Sequence, residues 1–405
     1  MKVIIITQYF YPEAFRVNDL AKGLKDRGHT VAVLTGQPNY PSGKVYPGYG
    51  WLRSWHDDFH GIPVYRVPVI ARGRAGRVRL SLNYLSFVFS ALLLGLPRLR
   101  RQQFDCCLVF ATSPVTAAIP ANFYRKFTGC PVAIWIQDLW PDVVTSVSMV
   151  RSRKVLGLIG HMVTWIYRHA DLLLIQSESF RESVLKWGGT ESQIRYLPNW
   201  AEDFYVPRTQ AASASPFRIL FAGNLGRAQA LDTILKAIVI THQHGASIEW
   251  HFMGDGVLKS WLQEQVEQQG ISQCVKFFPR QNETQMSETF AQYSVLLATL
   301  AKDPVLSLVL PSKIQSAMAC AMPILGSANG EMARVIEEAV CGLISPAGDA
   351  EHLARHAIQL SQMSPARLQQ LGSSGRAYYQ KHFERNMLIQ NTCAFFQEIS
   401  ERRSS

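Results

Sequence analysis

The chain has 405 residues and a mass of 45.5 kDa, with 47% hydrophobic and 18% charged residues and 41 Lys+Arg against 30 Asp+Glu. It is too apolar for a disordered protein and too long for one ordinary core, so two globular domains of similar size are expected and collagen-like repeats are excluded. The charge is uneven: residues 1–205 carry 24 Lys+Arg and 14 Asp+Glu and residues 206–405 carry 17 and 16, so the basic excess, and with it an anionic partner, belongs to the first half.

Met1-Lys2 runs straight into an apolar β-branched segment followed by Tyr-Phe-Tyr-Pro, which reads as a first strand and not as a signal peptide. Apolar strands then alternate with helical patterns, the mark of parallel βαβ units. Strands are expected at 3–7, 31–35, 64–67, 106–110, 132–137 and 172–176, with a helix at 18–27 between the first two. A second series is expected at 218–223, 249–253, 275–278, 295–298, 323–326 and 342–345. The α/β chain therefore divides into two Rossmann-like, doubly wound parallel-sheet domains, 1–205 and 217–375. The small, polar, proline-bounded stretch 206–216 joins them. Residues 376–405 form a helical segment able to pack on either domain.

Residues 72–101 hold Arg72, Arg74, Arg77, Arg79, Arg98, Arg100 and Arg101 and no acid. They bracket an apolar run, 80–96, whose 17 residues would rise about 26 Å as a helix, short of a hydrocarbon core of about 30 Å. Leu82, Leu85, Phe89, Leu92 and Leu96 line one side of this helix, and Tyr84, Phe87, Val88 and Leu94 make the other apolar too. Such a helix is either a core helix or one lying in a membrane interface, and arginines at both ends favour the interface on an anionic membrane. No nucleic-acid-binding module accompanies the charge, so nucleic acid is not an expected partner. The seven cysteines form no Cys-x-x-Cys pair, which suggests neither a zinc site nor a disulfide framework and points to reducing cytosol.

Several chemistries lack their motifs. The loop after the first strand, residues 8–13, has no Gly-x-Gly-x-x-Gly, which argues against a dehydrogenase. There is no Walker loop, no nucleophile elbow, no His-Glu-x-x-His and no Asp-x-Asp pair for a metal-bound pyrophosphate, so metal-independent, cofactor-free chemistry is expected. Two anion-binding constructions stand in the second half. Gly223-Asn224-Leu225-Gly226-Arg227 follows a strand and leads to a helix, so backbone amides and a guanidinium can meet a phosphate there. Pro311-Ser312-Lys313-Ile314-Gln315 reads as a capping box with Ser312 as N-cap, and it puts Lys313 where the helix dipole disfavours a cation, which suggests that an anionic ligand requires it. Gly254-Asp255-Gly256 is a third loop at a strand's C-terminal end.

Taken in order, Arg27-Gly28-His29-Thr30-Val31, Leu197-Pro198-Asn199-Trp200, Phe221-Ala222-Gly223-Asn224, Met253-Gly254-Asp255-Gly256, Ala317-Met318-Ala319-Cys320 and Gly342-Leu343-Ile344 make the chain resemble glycosyltransferase family 4, retaining enzymes of GT-B fold. Tyr11-Pro12-Glu13, Gln137-Asp138-Leu139-Trp140-Pro141 and Pro311-Ser312-Lys313 further resemble the branch that builds bacterial O-antigen, capsule and colanic acid, including fucosyl and N-acetyl-L-fucosaminyl transferases. The resemblance implies two domains facing across a cleft, a UDP- or GDP-sugar donor, a polyprenyl-pyrophosphate-linked sugar acceptor, and a peripheral place on the cytoplasmic face of the bacterial plasma membrane. It implies a donor site of Gly223, Asn224, Gly226, Arg227, Gly254, Asp255, Pro311, Ser312, Lys313 and Ser316, with Arg227 and Lys313 stabilising the leaving diphosphate. On the acceptor side it implies Tyr11, Glu13 and Trp140, with Glu13 or Asp138 acting in catalysis. The family's two glutamates eight positions apart would align with Leu308 and Ser316, and its second basic residue is missing from 229–231. Two other readings remain open at this stage: a nucleotide-sugar epimerase of the same fold, and a non-catalytic sugar-nucleotide-binding assembly protein.

Overall fold

The computed structural model describes residues 1–51, 53, 55–73, 76–146, 152–209 and 216–404. It divides into two compact units, Met1–Pro198 with Asn386–Ser405, and Asn199–Arg385. The expected boundaries at 205 and 375 thus move to 198 and 385; Arg74 and residues 210–215 of the expected linker lie outside the described residues.

The first unit is built on eight strands: β1 (Lys2–Ile6), β2 (Thr30–Gly36), β3 (His56–Phe59), β4 (Ile62–Val67), β5 (Cys106–Ala111), β6 (Val132–Ile136), β7 (Leu172–Ile175) and β8 (Ile194–Tyr196). Their order is β3-β4-β2-β1-β5-β6-β7-β8, parallel throughout except for the antiparallel β3 at one edge. Ile4 sits opposite Ala32 on one side and Cys107 on the other, and residues 3–6 are wholly buried, as a parallel sheet covered on both faces requires. Two strands escape a sequence reading: β3 is His-Asp-Asp-Phe with no apolar alternation, and β8 is only three residues long. The chain's polar residues collect where the strands end: Thr7, Gln8, Gln37 and Asn39 are all buried there.

The apolar run forms a helix from Arg77–Ser90, a π turn at Ala91–Gly95 and a last turn at Leu96–Leu99. The extra residue of the π turn shifts the phase of the side chains, so the expected face is corrected. Val78, Leu82, Leu85, Phe89 and Leu93 are exposed, while Leu96 is buried with Leu80, Tyr84, Phe87, Val88, Ala91 and Leu99. Gly95 permits close packing, since a β-carbon there would come within 2.8 Å of Leu34.

The second unit has six strands, β9 (Phe217–Ala222), β10 (Ile248–Met253), β11 (Val275–Phe278), β12 (Val295–Thr299), β13 (Ile324–Ser327) and β14 (Gly342–Ser345), ordered β11-β10-β9-β12-β13-β14 and all parallel. Alternate residues feed opposite cores. Leu220 and Leu296 pack with Ile314, Met318 and Met332, while Ile219 and Phe221 pack with Ile234, Trp250 and Leu353. The expected C-terminal helix is two helices that break at Phe383-Glu384. Pro365–His382 belongs to the second unit, where the Tyr379 hydroxyl donates to the Ala201 carbonyl at 3.1 Å. Arg385–Ser404 is assigned from residue 386 to the first, where Arg27 donates to Asn386 and Arg195 pairs with Glu398.

Candidate functional site

In the second unit, two chain segments expected to bind an anion come together. The loop after β9 and the loop after β10 pack backbone against backbone: Gly223 N donates to the Met253 carbonyl at 3.0 Å, Leu225 N to that of Asp255 at 2.8 Å, and Leu258 N to that of Leu225 at 3.0 Å. Gly254 is demanded by this approach, because at φ 149° a β-carbon would stand 1.9 Å from the Gly223 carbonyl oxygen. Gly223, Asn224, Arg227 and Asp255 are exposed. Arg227 opens a single 3-10 turn, Arg227–Gln229, and the helix proper runs Leu231–Gln243.

Lys313 reaches this loop from the other side. Its helix is Ser312–Ala319, with Pro311 as N-cap and no side-chain cap, so the expected capping box is absent: Ser312 is already the first helical residue. The stem of Lys313 is partly exposed, but its Nζ is buried, has no hydrogen-bond partner among the described residues and lies 4.2 Å from the centroid of the Phe221 ring. A β-carbon on Gly223 would be 3.3 Å from that nitrogen. Burial pulls its pKa down to about 8. A buried cation without a counter-charge is unfavourable, and an anion in the glycine loop would relieve it. Ser316, expected at the donor, is buried and its hydroxyl donates at 3.2 Å to the Ser312 carbonyl inside its own helix, so it is not presented to a ligand. Leu308, the other aligned position, ends a 3-10 turn at Leu306–Leu308.

In the first unit, the expected acceptor residues separate into different roles. Glu13 is 2% exposed, and its carboxylate accepts from Phe10 N at 3.2 Å, Asn39 N at 2.7 Å and Tyr40 N at 2.7 Å. It therefore staples two loops together from a buried position, a structural role in place of the expected catalytic one. Burial pushes its pKa up to about 7, against the pull of those amides and Arg66. Tyr11 stays 42% exposed, with its ring against Phe59. Trp140 is corrected too: at 6% exposed it packs edge-on to Tyr84 and its Nε1 donates to Ser113 Oγ at 3.1 Å, so its face is no sugar platform.

Asp138 remains available. One of its oxygens accepts from both Ser113 N and Ser113 Oγ at 2.8 Å, and the other accepts no hydrogen bond from the described residues. Burial pushes its carboxyl up, while the Ser113 bonds pull it down. Ser113 escapes a motif search; the only signal for it is a polar residue just past the end of an apolar strand. The arginine cluster also divides. Arg79, Arg100 and Arg101 are exposed, whereas Arg98 lies 4.2 Å over the Trp55 ring and donates to the Arg66 carbonyl at 3.2 Å, a packing role.

Two family models match in succession, a glycosyl transferase 4-like domain over residues 14–200 and glycosyl transferases group 1 over residues 216–363. The chain is 24% identical over 339 residues to the probable glycosyltransferase WbjE of Pseudomonas aeruginosa, covering 79% of this chain and 82% of that one. It is 21% identical over 339 residues, 79% and 81%, to the putative colanic acid biosynthesis glycosyl transferase WcaI of Escherichia coli K12. The solved structure of Anabaena Alr3699/HepE in complex with UDP shares 16% identity at a TM-score of 0.70, over 98% of this chain and 100% of that one. Two parallel-sheet α/β domains of this kind define the GT-B fold. The chain is a glycosyltransferase, its two halves matching the 4-like and group 1 domains in turn, with relatives in bacterial polysaccharide biosynthesis.

Proposed function

We propose that the protein transfers a sugar, with retention and without a metal or other cofactor, from a UDP- or GDP-sugar to a polyprenyl-pyrophosphate-linked sugar during assembly of bacterial surface polysaccharide such as O-antigen or capsule. Fucose and N-acetyl-L-fucosamine are the donor sugars this reading names. The observation that carries it is Lys313, a buried, unpartnered ammonium beside a glycine loop at the C-terminal ends of parallel strands. Arg227 and Lys313 offset the charge that develops as the bond between the anomeric carbon and the diphosphate breaks. The acceptor hydroxyl forms its bond on the face the diphosphate leaves, and its proton passes to a donor phosphate oxygen or to Asp138. Glu13 takes no part in that step.

The same reading puts the protein on the cytoplasmic face of the plasma membrane through the helix Val78–Leu99. Its 22 residues would rise about 33 Å, long enough to span a bilayer, but one side is committed to protein: Asn83 is fully buried and accepts from Gln8 at 2.7 Å, and Phe87 and Leu99 are core residues. The exposed side, Val78, Leu82, Leu85, Phe89 and Leu93, with Arg79, Arg100 and Arg101 at its ends, suits an interfacial helix.

A thermal-shift screen of the purified chain against UDP, GDP and their sugars tests the donor; a nucleotide at 100 times its dissociation constant should stabilise by about 2.7 kcal/mol. Stabilisation by none of them would overturn the donor site. Turnover of a nucleotide sugar to an isomer without any acceptor would decide for an epimerase instead.

A further inference from the structure

We infer that Arg72, with the hydroxyl of Tyr84, forms a second anion site inside the N-terminal unit, one that takes the phosphate or pyrophosphate of the acceptor and not a membrane headgroup. This rests on the proposed transfer to a phosphate-linked acceptor and names the residues that would read it.

Arg72 differs from the other described arginines of its run. Its guanidinium lies over two rings, 5.0 Å from the centroid of Tyr40 and 5.8 Å from that of Tyr9, and makes no hydrogen bond or ion pair among the described residues. The guanidinium is thus held near two aromatic faces while its N–H groups stay unengaged by the described residues. Its backbone is fixed as well, with Arg72 N donating to Asn39 Oδ1 at 3.0 Å. Asn39 is fully buried and held in turn by Glu13 and by its own bond to the Gln37 carbonyl at 2.9 Å. Asn83 Nδ2 donates to the Ile70 carbonyl at 2.6 Å, two residues before Arg72. A solvated surface cation needs no such anchoring.

Tyr84 supplies the second donor. It is 7% exposed, its ring packs on Trp140, and its hydroxyl has no hydrogen-bond partner among the described residues. The ring is buried while the O–H is engaged by none of the described residues, which leaves it able to donate to a ligand. Burial raises its pKa to about 12, and it feels Arg72 pulling down and Asp138 pushing up, so the ring lies within electrostatic reach of both. The order of groups is then a free guanidinium, a free phenol and a carboxylate with one free oxygen. The first two are donors suited to a phosphate, and the third is an acceptor suited to a sugar hydroxyl. A phosphate-linked sugar presents both groups in one molecule. The site lies at the C-terminal ends of β1, β2, β5 and β6, where open parallel sheets take ligands.

Calorimetry on the full chain, saturated with UDP and titrated with inorganic pyrophosphate, tests the assignment. Expected is a second binding event that Arg72→Ala weakens about tenfold to a hundredfold, Tyr84→Phe weakens less, and Arg72→Lys partly restores. UDP affinity should be unchanged in all three, and so should flotation of Arg72→Ala on phosphatidylglycerol-containing vesicles. Absence of the second event in UDP-bound wild type, or wild-type pyrophosphate binding by Arg72→Ala, would overturn the inference. Loss of vesicle flotation by Arg72→Ala with pyrophosphate binding intact would return the residue to the membrane. Failure of wild type to bind UDP would strike the donor reading, separately from this one.

Discussion

Lys313 Nζ sits 4.2 Å above the Phe221 ring and finds no hydrogen-bond partner among the described residues. The arrangement stores a cost that substrate can relieve. Holding the ammonium charged at neutral pH with its pKa near 8 costs on the order of 3 kcal/mol relative to its ordinary value.

Lys313→Met should therefore leave the melting temperature of the ligand-free protein unchanged or raise it, while lowering transfer about 10²–10³-fold. A melt and a rate assay on the same preparation check both halves. The pH dependence follows from the sign of the shift. Below about 8 the ligand-free lysine is charged, and above it the charge is lost before an anion arrives, so UDP affinity should fall as pH rises past about 8. Lys313→Arg, which keeps its charge, should flatten that profile in a titration series.

Glu13→Ala should destabilise the protein by about 2–4 kcal/mol in chemical denaturation, because three buried backbone N–H groups lose their acceptor. Its folded pKa, about 7, lies above the ordinary 4.5, so this group's contribution to stability is full below about 4.5 and is lost as pH rises through about 7. Stability curves of wild type and Glu13→Gln should diverge across that window. A catalytic Glu13 would instead show as a lost rate at unchanged stability.

Gly254→Ala should abolish detectable UDP binding, since a methyl group at 1.9 Å from the Gly223 carbonyl forces apart the two loops of the proposed donor site. Gly245→Ala, at a turn with φ 67° and nothing within 4 Å of the added carbon, measures what a methyl group costs at a positive-φ glycine where it meets no neighbour. Retained UDP affinity in Gly254→Ala would place the nucleotide elsewhere.

Leu85→Glu and Phe89→Glu change side chains that are 48% and 60% exposed, so each should reduce flotation on anionic vesicles with little change in melting temperature. Phe87→Ala, at a fully buried position on the same helix, should do the reverse, with about 3–5 kcal/mol lost. Undiminished flotation of both glutamate variants would remove the helix from any membrane contact.

The parallel strands and the two-domain division were legible because buried parallel strands are written as continuous β-branched runs, and the donor loops because glycine is rare at strand ends without a backbone reason. Lys313 was legible as a cation in the wrong turn of a helix, although the capping box used to place that helix proved absent. Glu13, Trp140 and Arg98 were misread for one common reason. Each is a polar or aromatic residue beside an expected site, and sequence does not say whether its hydrogen bonds close inward on the backbone or outward on a ligand. Ser113 and Tyr84 carry no local signature, since their place depends on pairings between β5, β6 and a helix distant in the chain.

The helix Arg385–Ser404 gives the chain an unusual order of completion. Its assignment to the first unit makes that unit discontinuous, with the second, Asn199–Arg385, inserted between its two parts. During synthesis the second unit has all its residues before the first does, and the earlier-made sheet must wait for a helix made after the whole second unit. A stop codon near residue 386 would thus injure the half of the protein translated first.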